Sequence, residues 1–239
     1  MNKGYRVSEL RLASWNIRKC VGLDRRRDPA RVVRVLAELD ADVVALQEAD
    51  RRIRRRPAAL PNFLIEQETD LRPIDAGGHS GSLGWHGNAV LLKRGVICVE
   101  RHSLRLPGLE PRGALVADLM WGDMNIRVVA VHLGFLRRYR QMQLTTIRAH
   151  LDTLSPLPTV IMGDFNEWSH IRGFEALDAF KVHSPGRTYR ASRPIAALDR
   201  FAVNNGVAVT SALVHENSLT RVASDHLPIS AQIRVNGHV

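Results

Sequence analysis

Acidic, amide and imidazole side chains recur in this chain at one kind of position, the end of a short apolar segment. Such segments include Val43–Gln47, which Glu48 follows directly, and Thr159–Met162, which Gly163 and then Asp164 follow. The polar residues of this set are Asn16, Glu48, His132, Asp164, Asn166, Asp199, Asp225 and His226. A rigid strand fixes the position of a side chain at its end while the adjoining loop leaves that side chain accessible, so strand ends suit chemistry.

The donor atoms of this set favour the chemistry of a hard divalent metal. Carboxylate and amide oxygens suit Mg²⁺, Mn²⁺ or Ca²⁺ better than zinc, and the two cysteines, Cys20 and Cys98, form no cluster. A divalent ion held in this way neutralises negative charge that develops in a transition state, and amide and imidazolium donors add to that effect.

Many short strands with a few helices between them must position these residues. Alternation predicts a first strand over Leu10–Trp15, and Asp28-Pro29 predicts the start of a helix. Further helices are predicted over Arg138–Leu154 and near Gly173–Phe180. The other predicted strands are Val43–Leu46, Asn88–Lys93, Val96–His102, Ala114–Trp121, Asn125–His132, Thr159–Met162, Leu198–Val203, Val207–Leu213 and Pro228–Val235. Strands outnumber helices, which favours mixed sheets packed face to face over a doubly wound parallel sheet.

The composition predicts one domain over residues 1–239, with a core from about residue 10 to about residue 235. Hydrophobic residues make up 45% of the chain and charged residues 24%, as in globular proteins. No apolar run of about 18 residues and no signal-peptide pattern occurs, so we expect no membrane span. Two cysteines agree with a reducing cytoplasm, and the lack of heptads favours a monomer.

Positive charge is concentrated in three segments that follow predicted site residues. The formal net charge is +10, and arginine greatly outnumbers lysine, although a general preference for arginine explains that choice equally well. The clustered basic residues are Arg18, Lys19, Arg25, Arg26, Arg27, Arg51, Arg52, Arg54, Arg55, Arg56, Arg137, Arg138 and Arg140. A basic surface around the site would collect an anionic substrate, whereas the alternative is an ordinary solvated face. Trp85, Trp168 and Tyr139 are candidates for stacking on bases, and Trp15 is predicted to be core.

Seven segments, taken in chain order, resemble a known family. They are Ala13-Ser-Trp-Asn16, Leu46-Gln-Glu48, Gly87-Asn-Ala-Val-Leu-Leu92, Val131-His132, Met162-Gly-Asp-Phe-Asn166, Leu198-Asp199-Arg200 and Ser224-Asp-His-Leu-Pro228. Together they resemble the endonuclease/exonuclease/phosphatase superfamily, which includes pancreatic-type deoxyribonuclease, abasic-site endonucleases, sphingomyelinases and inositol-phosphate phosphatases. The resemblance spans nearly the whole chain. It implies a deoxyribonuclease-like α/β (α+β) fold, a four-layer sandwich of two mixed sheets with helices outside and the site at one sheet edge.

The resemblance also implies a metal centre. Glu48 would be the principal metal ligand, with Asn16 beside it, and Asp225 would add a ligand for a second ion. The expected cofactor is Mg²⁺, with Mn²⁺ as the alternative.

Catalytic roles follow from the same resemblance. Asp164 and Asn166 would contact the scissile phosphate and position or deprotonate the attacking water. Asp199 would orient His226, as a carboxylate orients a catalytic imidazole. His132 would face the phosphate or the leaving oxygen.

A further group of residues would bind the substrate or support the site. The candidate substrate-binding residues are Arg112, Asn88, Arg54 and Arg55. Arg112 resembles a phosphate-contacting arginine of the family, and a solvated strand-edge arginine is the alternative. Asp118 and Glu100 are the candidates for an acidic partner of His132. His86 lies two residues before Asn88 and is a further candidate for the site.

The sequence supports three functions to different degrees. Nucleic acid is the leading substrate, because the motifs are deoxyribonuclease-like and the loops are basic. A phospholipid head group or a small phosphoester is the alternative, since the same motifs serve those reactions and no inserted helix for a DNA groove is evident. A non-catalytic nucleic-acid-binding module is disfavoured, because no residue of the expected site is missing.

Overall fold

The structure is a computed structural model, and it describes residues 9–51, 57–78 and 81–235. The strands within these ranges are β1 (Glu9–Asn16), β2 (Val43–Gln47), β3 (Leu71–Pro73), β4 (Ala89–Lys93), β5 (Val96–Leu106), β6 (Arg112–Trp121), β7 (Met124–His132), β8 (Thr159–Asp164), β9 (Lys181–His183), β10 (Asp199–Val203), β11 (Val207–Val214) and β12 (Ile229–Val235). The α-helices are α1 (Pro29–Leu39), α2 (Asn62–Glu68), α3 (Arg137–Leu151) and α4 (Thr220–Ala223). Single 3-10 turns lie at Arg18–Cys20 and Glu175–Leu177.

The strands form two mixed sheets of six strands each. The first sheet has the order β11-β12-β1-β2-β4-β3, and the second has the order β5-β6-β7-β8-β10-β9. Each sheet contains a parallel pair, β1 with β2 and β7 with β8, among antiparallel neighbours. Because parallel strands end at the same edge, these two pairs bring the ends of four strands to one edge of the sandwich.

Three apolar clusters hold the layers together. Val43 and Val90 of the first sheet and Leu115 and Val128 of the second belong to the cluster between the sheets. A second cluster joins α1 and α2 to the outer face of the first sheet, and a third joins α3 to the outer face of the second. Each fully buried Val or Leu side chain contributes about 1.5–3 kcal/mol relative to an exposed one. The predicted four-layer α/β sandwich is therefore confirmed.

Helix α1 shows how local sequence starts and ends an element. The Asp28 side chain accepts a hydrogen bond of 2.9 Å from the backbone N–H of Arg31, and Pro29 occupies the first turn, where its missing N–H costs nothing. The helix ends at Asp40, whose φ of 42° lies in the left-handed region. Its buried face then packs on the sheet and fixes the loop that carries Arg18 and Lys19.

Some predicted elements differ from the structure. The short helix expected near Gly173–Phe180 is present, but it is a 3-10 helix that spans only Glu175–Leu177, after Gly173 with a φ of 92°. The sequence analysis also missed α2, β3 and β9, of which the two strands have only three residues each and therefore show no alternation. Among the helices of the described residues, none has both the length and the apolarity needed to cross a membrane. The single-domain organisation stays a prediction.

Candidate active site

Both sheets contribute residues to one edge of the sandwich. In the second sheet, Asp164 lies opposite His132 on one side and opposite Asp199 on the other. In the first sheet, Asn16 ends β1 beside the end of β2, after which Glu48 follows. The register of strand pairing alone therefore places these side chains beside one another within each sheet.

Asp164 is the residue at which the two sheets meet. Its Oδ2 accepts a hydrogen bond of 3.1 Å from Asn16 Nδ2, and its Oδ1 accepts one of 2.9 Å from the Asn166 backbone. The Nε2 atoms of His132 and His226 lie 3.5 and 3.7 Å from its Oδ2. Burial is the main cause that raises the pKa of the Asp164 carboxyl to about 6; the His226 charge opposes the shift and Asp199 adds to it.

Asp199 and His226 form a buried ion pair beside Asp164. Asp199 Oδ2 lies 2.8 Å from His226 Nδ1 and accepts a second hydrogen bond of 2.5 Å from the Thr188 hydroxyl. Burial lowers the pKa of His226, but the charges of Asp199 and Asp164 outweigh burial and raise that pKa to about 10. The imidazole therefore carries a positive charge at neutral pH. The backbone carbonyl of His226 accepts a hydrogen bond of 2.9 Å from Trp15 Nε1. Trp15 is fully buried, which confirms its predicted place in the core.

Glu48 lies on the other side of this group, in a strained backbone conformation. Its φ of 53° is uncommon for a residue with a side chain, and such outliers are concentrated at functional sites. The turn Arg18–Cys20 is also left-handed at each residue, and the Lys19 N–H donates to the Glu48 carbonyl at 3.0 Å. This turn directs the Lys19 ammonium group onto Glu48 Oε2, where the two form an ion pair. Asn16 Oδ1 accepts a hydrogen bond of 3.1 Å from the Arg18 N–H, so the turn joins both expected ligands.

The donor groups at this edge fit a divalent cation. Among the described residues, Asp164, Asp199 and His226 have ligand-capable atoms that all lie within 4.8 Å of one another. A protonated His226 cannot bind a metal, so at neutral pH the donors of this group are the carboxylate oxygens. Glu48 and Asn16 supply further oxygens, and the ammonium of Lys19 on Glu48 shows that this position accepts positive charge. Oxygen-rich sets of this kind suit Mg²⁺ or Mn²⁺.

Asp225 directly precedes His226 but is not one of the three clustered residues. Its Oδ2 pairs with Arg18 Nε at 3.4 Å, and its side chain is 22% exposed. Its expected role as a ligand for a second ion stays a prediction.

A cavity of about 300 Å³ opens beside the metal-capable group. Its lining residues are Glu48, Asp50, Arg51, His86, Gly87, Leu109, Glu110, Pro111, Arg112 and His132. Arg112 is 5% exposed, and its guanidinium lies 5.3 Å from the centre of the Phe135 ring, so it is held in place rather than solvated at a strand edge. The structure thus places Arg112 and His86 with Glu48 and His132, around a space that suits one phosphate and a small attached group.

Several other predicted residues lie elsewhere. Asn88 is fully buried and does not line the cavity; its amide donates to the Gly113 carbonyl at 2.8 Å and so links β4 to β6. Arg54 and Arg55 lie outside the described residues. Asp118 and Glu100 are wrong as partners of His132, because Asp118 forms a bidentate pair with Arg127 at 2.6 and 2.7 Å, and Glu100 faces His102 at 3.3 Å.

The three residues expected to stack on bases differ in their exposure to solvent. Trp85 is half-buried, packs beside the central core and donates from Nε1 to the Leu104 carbonyl at 2.8 Å. Its role as a stacking residue stays a prediction. Tyr139 is half-buried under the Arg138 guanidinium, which lies 4.6 Å from its ring centre. Trp168 is the one of the three that is exposed.

Glu167 is a supporting residue that the sequence analysis missed. Its carboxylate is buried and accepts hydrogen bonds from Arg137 at 2.9 and 2.8 Å, from Arg140 at 2.6 Å and from the Ser169 N–H at 2.8 Å. Arg140 is 4% exposed, so its expected place on a free basic surface is wrong. The network ties the start of α3 to the segment that carries Asn166. The signal in the sequence was the acidic residue directly after Gly-Asp-Phe-Asn.

The fold and the site together define a class of protein, an α/β sandwich with a metal-capable carboxylate and histidine centre at one edge of its two sheets. Residues 13–226 match the sequence model of the Endonuclease/Exonuclease/phosphatase family, and because this match includes most of the chain, the protein belongs to that family. Members of this family are hydrolases that act on phosphoesters, and they include nucleases and phosphatases.

Similar proteins support the same assignment. YbhP of Escherichia coli is 34% identical over 163 residues, which is 64% of this chain and 64% of YbhP. Thus the match covers less than two thirds of that relative. The structure of TDP2 from D. rerio with a single strand DNA product has a TM-score of 0.74 at 16% identity, over 95% of this chain and 100% of that one. Mannosyl-6-phosphatase Bt3783 of Bacteroides thetaiotaomicron has a TM-score of 0.73 at 14% identity, over 94% and 99%. These two structures share the fold.

Proposed function

We propose that this protein hydrolyses phosphodiester bonds by attack of water, with Mg²⁺ or Mn²⁺ as cofactor. The observation that carries the proposal is the buried Asp199–His226 pair, which faces Asp164 at the point where Asp164 also accepts from Asn16 of the other sheet. This arrangement supplies a base and a fixed positive charge within one small volume.

Asp164 and His226 have different roles in the proposed reaction. With a pKa of about 6, the Asp164 carboxyl is mainly ionised at neutral pH and takes the proton of the attacking water. With a pKa of about 10, His226 remains an imidazolium and stabilises the negative charge that develops on the phosphate oxygens. Asp199 holds the ring and its tautomer through Nδ1, which leaves Nε2 toward the substrate.

Other residues of this chain hold the phosphate in place. His132 and Arg112 line the cavity next to Glu48 and supply donors and positive charge. Asn166 has a φ of 50° and donates from Nδ2 to the Leu133 carbonyl at 2.9 Å, so its amide is fixed beside Asp164. A group held in this way loses little entropy when the substrate binds.

Glu48 and Asn16 would hold the metal ion. When bound, the ion would act as a Lewis acid that neutralises charge on the reacting phosphate. Lys19 would leave Glu48 on metal binding and become available to the substrate phosphate, since both cations use the same carboxylate.

Two substrate classes are candidates for this site. The arginine-rich segments first indicated nucleic acid, but Arg140 is buried and Arg137 pairs with Glu167, which weakens that support. A phospholipid head group is the second candidate, and the exposed apolar side chains on the loops around the site favour it.

Three substrates tested in parallel would check the proposal: a soluble aryl phosphodiester, a plasmid and an anionic phospholipid. We expect the aryl phosphodiester to be cleaved with Mg²⁺ and not with EDTA, and Glu48→Gln to lower kcat at least about a hundredfold. Glu66→Gln, an exposed change on α2, is the matched control. Cleavage that is equal in wild type and Glu48→Gln would refute the proposal, and the other two substrates would decide the class.

A further inference from the structure

Six large apolar side chains are exposed on the loops that surround the site. We call them the apolar rim: Leu109, Phe135, Leu136, Trp168, Ile171 and Ile195. Their exposed fractions run from 49% for Leu136 to 89% for Ile171. Each lies within a few residues of a site residue, since the four loops adjoin Arg112, His132, Asn166 and Asp199 in the sequence.

Contacts between these loops make the apolar rim continuous. The loop of Leu109 meets that of Phe135, because the Phe135 N–H donates to Glu110 Oε1 at 3.1 Å. Arg137, next to Leu136, bonds to Glu167, next to Trp168. The ring of Trp168 lies 6.4 Å from that of Tyr189, whose carbonyl accepts from the Ile195 N–H at 2.7 Å. The four loops therefore form one connected arc beside the site, and Leu109 also lines the cavity.

Exposed arginines accompany the apolar residues on the same loops. These are Arg138, Arg172, Arg190 and Arg193. In contrast, Glu167 on this arc is buried and already neutralised by Arg137 and Arg140. Glu110 of the Leu109 loop adds one half-buried carboxylate, which accepts from the Phe135 N–H. The four exposed arginines leave an excess of positive charge beside the apolar side chains, which is complementary to a surface that is apolar below and negatively charged above.

The residue types on the rim favour a lipid bilayer over nucleic acid as the partner of this surface. Stacking on bases requires flat rings, whereas four of the six rim residues, Leu109, Leu136, Ile171 and Ile195, are aliphatic. Aliphatic and aromatic side chains both enter the boundary between head groups and acyl chains, and adjacent arginines contact the lipid phosphates. Exposed apolar side chains that are gathered on neighbouring, linked loops mark an interaction site.

We propose that the apolar rim docks this protein on an anionic phospholipid bilayer and brings lipid phosphodiesters to the site. The docking itself depends only on the rim, whereas the identity of the substrate rests on the function proposed above. The two are separable, because docking requires neither metal nor hydrolysis.

Vesicle binding in the presence of EDTA tests the docking directly. Vesicles of phosphatidylcholine mixed with phosphatidylglycerol should sediment with the protein, and vesicles of phosphatidylcholine alone should bind it much less. The double variant Ile171→Ser/Ile195→Ser should lower the partition coefficient by roughly tenfold or more. The matched control is Ile97→Ser/Val99→Ser, which removes two exposed apolar side chains of β5 at the end of the sheet far from Arg112.

Trp168 supplies a second readout. Trp15 is buried and Trp85 and Trp121 are half-buried, so a blue shift of the fluorescence on vesicle addition would report Trp168, and Trp168→Phe should abolish it. Equal binding of the rim and control variants, or no binding to the anionic vesicles, would overturn the proposal. So would a Trp168 signal that responds to a single-stranded oligonucleotide and not to vesicles. Both double variants should cleave the aryl phosphodiester like wild type, so failure of docking and failure of hydrolysis give different results.

Discussion

Replacement of Glu167 by Gln removes one charge from a buried network and keeps the shape of the side chain. The Glu167 side chain is 2% exposed and Arg140 beside it is 5% exposed, so neither charge is well solvated once its partner is lost. Arg140 keeps two carbonyl partners, Gly134 at 3.2 Å and Phe135 at 2.6 Å, while half-exposed Arg137 can turn to solvent. Removal of one partner from a buried ion pair costs about 3–5 kcal/mol of folding free energy. Because Arg140 keeps its carbonyl partners and Arg137 can reach solvent, we expect a loss near the lower end of that range.

The pKa of Glu167 gives an independent magnitude. Burial alone would raise this pKa, but hydrogen bonds from Arg137, Arg140 and the Ser169 N–H outweigh burial and lower it from 4.5 to about 2. A carboxyl with such a lowered pKa in the folded state contributes about 3 kcal/mol of stability above its unfolded pKa. That contribution is lost as the pH falls from about 4.5 toward about 2, because the unfolded chain then binds the proton more strongly.

Urea unfolding of Glu167→Gln tests both magnitudes. At about pH 7 the variant should be about 3 kcal/mol less stable than wild type, and at about pH 3 the difference should shrink to less than half of that. Glu66→Gln on α2 should change stability by less than about 0.5 kcal/mol. Because the network holds the segment of Asn166, kcat should also fall in the folded variant. A loss below about 1 kcal/mol at neutral pH would show that this ion pair does not stabilise the fold as argued.

Three further perturbations follow from the site. Asp199→Asn removes the main charge that raises the pKa of His226, so the alkaline fall in activity should move to lower pH, and kcat should drop about a thousandfold in a pH–rate profile. Lys19→Met removes the cation on Glu48 and should tighten Mn²⁺ binding about two- to fivefold by calorimetry, whereas weaker binding would assign Lys19 a different role. Trp15→Phe leaves the His226 carbonyl without its indole donor and should cost about 1–3 kcal/mol in urea unfolding, with Trp168→Phe as the neutral comparison.

The fold was largely predictable because its long strands are regular. Alternation in Leu10–Trp15 and the continuous apolar run before Glu48 gave the strands that matter most for the site. Elements that are too short to show a hydrophobic period could not be found from the sequence pattern. Strands β3 and β9 exist because neighbours in the sheet pair with them, and that information lies in the rest of the fold rather than in three residues.

The candidate site, like the fold, was predictable only in part. The sequence indicated which residue types end the strands, and the register then placed His132, Asp164 and Asp199 side by side. It could not distinguish a free arginine from a paired one, because Arg140 meets Glu167 only after helix α3 folds onto the second sheet. The apolar rim escaped notice for a related reason, since exposure of Ile171 or Leu109 is a property of the folded surface.

The hydrogen bond between Asn16 and Asp164 joins one sheet to the other at the candidate active site. Each sheet carries only some of the residues that the proposed reaction needs, so that reaction requires the two sheets to stay aligned to within a fraction of an ångström. A small slip at the interface between the sheets would separate the proposed base from the proposed metal ligand and leave each sheet intact. The proposed hydrolysis should therefore be lost at a lower temperature than secondary structure, and substitutions deep between the sheets should abolish it before they unfold the protein.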